Sequence, residues 1–310
     1  MSILLQAQVN GKEVIVLDAE THDLVEPRPT EVAYAYLDKQ TMAIDGKRAL
    51  FCQRYNPELP ISYGAMATSH IIDEDVQHCP SWQTFALPSD VGYIVGHNIG
   101  FDMTAIGNPS AVRCIDTLSL ARQAWPELSN HKQSTIMYFL GHCKGLLSQT
   151  RDMVVNAHKA DIDIQMCAII LENLMPWASA YCRQIREHLS EPDLSVFDCL
   201  HLLSEATRVP MKLTFGKHEG MAPWLAPRNY ISWFCDQPAA DPYVALSMWR
   251  GGQTESGRAL FALACDLFSD TPTPAYRPSN SQTVCADQQS INQTQPARRS
   301  MLDSLARRPK

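Results

Sequence analysis

Apolar residues follow two rhythms along this chain. Val14, Ile15, Val16 and Leu17 form a continuous run that reads as a strand entering a core. The segments "EVAYAYLD" (31–38) and "RALFCQRY" (48–55) supply two further strands. Asp-Gly inside "DGKR" (45–48) predicts a hairpin turn between them. Two short buried strands follow at 92–98 and 111–116. Helical spacing appears at 80–88, 101–107, 117–124, 131–141 and 157–174. Three strands followed by alternating strands and helices predict an α/β fold, a mixed sheet covered by helices.

Beyond this core the pattern changes twice. Residues 176–208 read as a helical linker, with Pro176, Pro192 and Pro210 as punctuation. Residues 209–268 read as a compact accessory module carrying "LTFGKHEG" and "NYISWF". From 269 to 310 Ser, Thr, Pro, Asn and Gln dominate, which predicts a disordered tail with little to bury. Its basic end, "ARRSMLDSLARRPK", has the pattern of a short amphipathic helix for a protein partner, although a solvated tail is the simpler expectation.

Composition narrows the picture only at a few points. A chain of 310 residues with 45% hydrophobic and 19% charged residues is an ordinary globular protein large enough for more than one domain. No run spans a bilayer and residues 1–11 lack an export pattern, so no membrane role is expected and the cytoplasm is the default location. The ten cysteines include no C-x-x-C pair, which argues against a zinc site or a disulfide framework. The net charge of −7 disfavours a protein that coats duplex non-specifically. It does not disfavour a metal enzyme, because bound cations supply positive charge locally.

The chemistry is carried by acids. Asp18 and Glu20 stand one residue apart at the end of the first strand, in "VIVLDAETHDL". Two buried carboxylates repel each other and lose hydration, so the arrangement calls for a partner. Further along, "GHNIGFDM" places Asp102 at the start of a helix, and "NAHKADID" offers His158 and Asp163 near the start of another. Four carboxylates gathered at strand ends and helix starts suit hard divalent cations. Two such ions, about 3.5–4 Å apart, activate water and stabilise the leaving oxygen in phosphodiester cleavage. Asp161 reads as solvated, and Asp116 as the cap of the helix after it.

D-x-E-T, H-N-x-x-F-D and H-x-A-x-x-D, in this order, resemble the DEDDh family of 3′-to-5′ exonucleases over residues 12–175. The resemblance implies a ribonuclease H-like fold, with a five-stranded mixed sheet flanked by helices. It implies Asp18, Glu20, Asp102 and Asp163 as metal ligands and His158 as general base. It implies two Mg²⁺ or Mn²⁺ ions per site. "LPISYGAMATSHI" (59–71), "LSLARQAWP" (118–126) and the Phe-Gly-Lys module resemble one branch of that family. DNA with a 3′ end, single-stranded or duplex, is then the expected substrate, and repair or recombination the setting. RNA 3′-end trimming by the same metal site is the second expectation. A non-catalytic adaptor ranks last, because all five site residues are present.

Substrate contacts are expected from Ala19 through its backbone, from Thr21, and from Leu24 wedged against a terminal base. The alternative for Leu24 is a cover for the core edge. His97 and Asn98 would position Asp102 or a phosphate, or simply build a turn. Lys217 would reach a phosphate, or sit in a glycine turn between Gly216 and Gly220. Tyr230 and Trp233 read as core packing, with base stacking as the alternative.

Overall fold

The computed structural model describes residues 3–5 and 11–269. All of the predicted tail except Ser269 lies outside the described residues. Among the described residues five strands form one sheet: β1 Glu13–Thr21, β2 Pro29–Tyr36, β3 Phe51–Arg54, β4 Val91–Gly96 and β5 Arg113–Asp116. Their order is β3-β2-β1-β4-β5. β2 runs antiparallel to β1 and β3, whereas β4 is parallel to β1 and β5. With helices on both faces this is the expected ribonuclease H-like arrangement. In chain order the helices are α1 Tyr63–Ser69, α2 Asp73–Val76, α3 Ile99–Ala105, α4 Thr117–Ala124, α5 Gln133–Lys144 and α6 Leu147–Val154. They continue as α7 Ala160–Leu189, α8 Val196–Arg208, α9 Arg228–Cys235, α10 Pro242–Met248 and α11 Glu255–Phe268.

The continuous apolar run of β1 is explained by burial on both faces. Ile15, Leu17 and Ala19 pack with Ile94, Ile99 and Met103 on one side. Val14 and Val16 join Ile115, Leu120, Ile164 and Leu171 on the other, where α7 covers the sheet. Side chains alternate along a strand, so Asp18 and Glu20 continue the row of Val14 and Val16. The two acids therefore end the row that runs beneath α7.

Several expectations changed on folding. The helix predicted for 80–88 is only a short 3₁₀ turn, Trp82–Thr84, capped by the Ser81 hydroxyl. Pro80 and Pro88 bracket it, and Trp82 and Phe85 pack on the sheet through irregular backbone. β3 is confined to Phe51–Arg54, although the Asp45 carbonyl does accept from the Arg48 N–H at 3.1 Å in the expected turn. α1, α2 and α6 carry too few apolar positions to have been seen in the pattern.

Pro176 is not a break. α7 runs through it, because Leu171, Leu174, Trp177 and Ala178 around it are all buried. Core packing there outweighs a penalty of about 3 kcal/mol for proline inside a helix. Segment 176–208, expected as a linker, instead contributes Cys182, Ile185, Leu200 and Leu203 to the main core. The following segment is divided. Leu213, Ala226, Ile231 and Met248 form a small core of their own, whereas Trp224, Phe261, Leu263 and Leu267 belong to the main one.

Gly96 ends β4 at the turn into α3. A Cβ there would lie 2.5 Å from Ile99 Cδ1 and 3.0 Å from Ile99 Cβ. Gly96→Ala is expected to destabilise the fold by about 1–3 kcal/mol through overpacking, read as a lower denaturant midpoint at unchanged slope. An unchanged midpoint would show that this turn has slack.

Candidate active site

Three elements and the turns before two of them deliver the site residues. β1 carries Asp18 and Glu20. The turn after Gly96 places Asn98 in the left-handed region (φ 70°), and α3 starts at once with Asp102 in its first turn. The Ala19 N–H donates to Asp102 Oδ1 at 2.9 Å, fastening that turn to β1 across 83 residues of sequence. His158 is also left-handed (φ 66°), and its N–H donates to Asp163 Oδ2 at 3.1 Å. This bond stabilises the start of α7, where the first backbone donors lack helical partners.

Glu20, His158 and Asp163 each offer a ligand atom, all within 4.8 Å of one another. Asp163 and Asp102 are buried, Glu20 and Asp18 half-buried, and His158 exposed. Asp18 and Asp102 stand outside this triad but share its electrostatics. Burial first, then the charges of Asp102, Asp163, Glu20 and Glu31, push the Asp18 carboxyl well above the usual range. Burial, with Asp163 and Glu31, raises Glu20 to about 7. Asp102 is pushed up to about 8 by burial, against the Ala19 N–H that favours its charged form. Asp163 rises to about 6, again through burial. His158 moves the other way, lowered by partial burial and by the positive charges of Lys132 and His70. The donor set fits hard divalent cations: carboxylate oxygens crowded together, undercompensated in charge and only partly open to solvent.

The expected substrate contacts divide. Leu24 is 80% exposed and does not cover the core edge. Val25 and Tyr63 are exposed as well, and the Ser62 N–H donates to the His22 carbonyl, holding the start of α1 against this loop. Lys217 is exposed within the short turn Gly216–His218, flanked by left-handed Gly216 and Gly220. Others are engaged internally. The Ala19 N–H is committed to Asp102, and the Thr21 hydroxyl donates to the Asp23 carbonyl. Both ring nitrogens of His97 are used, Nδ1 with the Thr117 hydroxyl at 2.9 Å and Nε2 with the His131 carbonyl at 2.7 Å. His97 and Asn98 thus build the turn that sets Asp102. Asp116 caps α4 as expected, through the Leu118 N–H. Tyr230 packs on the small core, whereas Trp233 is 56% exposed with its ring against Tyr230.

One acid escaped the sequence reading. Glu31 on β2 stands directly opposite Glu20 on β1, so the two side chains share a face. Its Oε2 accepts from the Ala160 N–H at 3.3 Å, and Arg54 Nε lies 3.4 Å from its Oε1. Glu31 thereby ties the first turn of α7 to the edge of the site. Only the β1–β2 register exposes this role, since "PTEVAYAY" by itself shows just an acid in a strand.

No protein-family model matches the chain, and no curated protein matches it. Solved structures do. It is similar to exonuclease X in complex with 5′ overhanging duplex DNA, at 25% identity and a TM-score of 0.40, over 54% of this chain and 93% of that one. It is similar to the zinc-bound E. coli exonuclease I–single-stranded DNA complex, at 15% identity and a TM-score of 0.41, over 57% of this chain and 44% of that one. A third is exonuclease I from Methylocaldum szegediense, at 15% identity and a TM-score of 0.39, over 57% and 45%. The chain thus spans just under half the length of the exonuclease I proteins. In motifs this chain resembles DEDDh exonucleases, and exonuclease X and exonuclease I are among the structures to which it is similar.

Proposed function

We propose that this chain is a metal-dependent 3′-to-5′ exonuclease that hydrolyses DNA from 3′ ends and releases nucleoside 5′-monophosphates. One observation carries the reading. Asp18, Glu20, Asp102 and Asp163 come from β1, α3 and α7 into one electrostatically interacting cluster, with His158 beside Glu20 and Asp163.

In this reading the four carboxylates would hold two divalent cations, Mg²⁺ or Mn²⁺. Bound cations supply Lewis-acid polarisation of water and of the scissile phosphate. The chain's own groups do the rest. His158, kept neutral by its lowered pKa and exposed at the edge of the cluster, accepts the proton of the attacking water. Water attacks phosphorus in line, and the bond to the 3′ oxygen of the penultimate nucleotide breaks. The left-handed turn at His158 and its N–H bond to Asp163 fix the imidazole next to the acids it serves. Leu24, Val25 and Tyr63 present an apolar rim against which a terminal base would stack. Lys217 is available to a phosphate further along the strand.

The raised carboxyl pKa values carry a sign. Without cations, the folded state binds protons more tightly than the unfolded chain between the ordinary carboxylate range and about 7 to 8. Stability therefore falls as pH rises through that window. Cations substitute for the protons and remove the loss. In chelator, the melting temperature is expected to drop by at least about 2 °C between pH 5.5 and pH 8, and millimolar Mg²⁺ should recover it. A flat profile unaffected by Mg²⁺ would contradict a cluster of interacting acids.

The activity test uses the purified chain with Mg²⁺ or Mn²⁺ on end-labelled single-stranded DNA, duplex DNA and RNA. Shortening from the 3′ end of DNA is expected, and Asp18→Asn or Asp163→Asn should slow it by at least about 100-fold with the fold retained. Variants as fast as wild type would refute the assignment. Digestion of RNA alone would transfer the same site to RNA trimming.

A further inference from the structure

A buried ion pair lies behind the site and belongs to no step above. Asp116, at the end of β5, has a carboxylate only 4% exposed. Its Oδ1 accepts from the Asn98 N–H at 2.8 Å and from the Leu118 N–H at 3.0 Å. Its Oδ2 accepts from Arg208 Nη2 at 2.7 Å. Asn98 is the left-handed residue immediately before α3, and its side chain does not cap that helix. The Asp116 bond thus holds the entry to α3 from the β5 side, alongside the Ala19 N–H bond to Asp102 and the two ring bonds of His97. The Arg208 guanidinium also lies against α3, since a Cβ on Gly100 would meet Arg208 Nη2 at 3.8 Å.

Arg208 is held in turn from the C-terminal segment. It is the last residue of α8, and its Nη1 donates to the Tyr243 hydroxyl at 3.0 Å. That hydroxyl donates to Glu205 Oε2 at 2.6 Å, and Glu205 Oε1 stands 3.5 Å from Arg208 Nη1. The guanidinium carbon sits 5.3 Å from the centroid of the Tyr243 ring. Tyr243 belongs to α10, outside residues 12–175, which carry the D-x-E-T, H-N-x-x-F-D and H-x-A-x-x-D motifs. The path from α10 to Asp102 is therefore Tyr243, Arg208, Asp116, Asn98 and the first turn of α3, in polar contacts of 3.0, 2.7 and 2.8 Å.

We infer that Arg208 is a positioning residue for Asp102, with Tyr243 as its clamp, so that the C-terminal segment is a working part of the active centre. The inference rests on the nuclease reading above. Two physical effects make it act. Arg208 fixes the Asp116 carboxylate in the orientation that receives the Asn98 N–H. It also cancels a buried negative charge that would otherwise add to the repulsion around Asp102. A buried acid stripped of its cation is costly, and the Asn98 N–H bond is the contact of this turn that depends on how that acid is held.

The test uses the full chain with Arg208→Met, Arg208→Lys, Tyr243→Phe and the double variant Arg208→Met/Asp116→Asn. Each is checked for folding by circular dichroism, then assayed on an end-labelled oligonucleotide across a Mg²⁺ series. Arg208→Met is expected to lower kcat by at least about tenfold and to raise the Mg²⁺ concentration for half-maximal rate several-fold, with oligonucleotide KM unchanged. Arg208→Lys, which keeps the charge, and Tyr243→Phe should each fall between it and wild type. The double variant should recover part of the loss, because the amide introduced by Asp116→Asn still accepts the Asn98 N–H without leaving an uncompensated charge. Arg208→Met with wild-type kcat and Mg²⁺ dependence would overturn the inference, as would a double variant no better than the single one. If the wild-type chain proves inactive, the nuclease reading fails separately. The network is then read from Mn²⁺ affinity by calorimetry, which Arg208→Met must weaken for the inference to stand.

Discussion

Negative charge forced out of water is the constraint around which this molecule is organised. Asp18, Asp102 and Asp163 lose hydration where they also face one another and Glu20. Carboxylates in that situation repel, take up protons, or bind cations. The fold holds them together regardless, because each sits at the end of an element whose apolar part is locked in the core. Val14, Val16, Ile164 and Ile99 are buried completely or nearly so, on the same elements as the acids. The strain of the site is thus met by hydrophobic packing elsewhere, at about 25 cal/mol per Å² of apolar surface removed from water.

Backbone donors complete the arrangement. The Ala19 N–H holds Asp102, the His158 N–H holds Asp163, and the Ala160 N–H holds Glu31. Each bond favours a charged carboxylate and so opposes the desolvation around it. Together they fix the acids to the backbone of β1 and α7, which turns a set of separate carboxylates into a cluster of defined shape. Asn98 and His158, which stand at the entries to the two acid-bearing helices, are both left-handed and both give their N–H to a carboxylate. The same local device is used at both helix entries.

Much of this was legible in the sequence, for physical reasons that differ by element. The β1 run, the later short strands and α4 follow from apolar periodicity. Acids at the ends of apolar runs drew attention to Asp18, Glu20, Asp102 and Asp163, whereas a role for His158 came from the motif resemblance. The Asp116 cap followed from turn chemistry. Helix 80–88 failed because aromatic residues there pack through irregular backbone between two prolines. Pro176 misled because a buried helix tolerates proline that a surface helix would not. Glu31 needed strand register, and the Asp116–Arg208 pair needed two residues 92 positions apart to meet. The Ala19 N–H is committed to Asp102, and His97 takes the turn-building alternative with both ring nitrogens bonded, partners that no pattern along the chain reveals.

The proposition that cations complete this cluster is most directly tested by locating them. Crystals of the chain soaked in Mn²⁺, with data collected at the manganese edge, should show anomalous density among Asp18, Glu20, Asp102 and Asp163. Asp163→Asn should lose it in part or whole. Density found elsewhere only, or none among these four acids at millimolar Mn²⁺, would contradict the account.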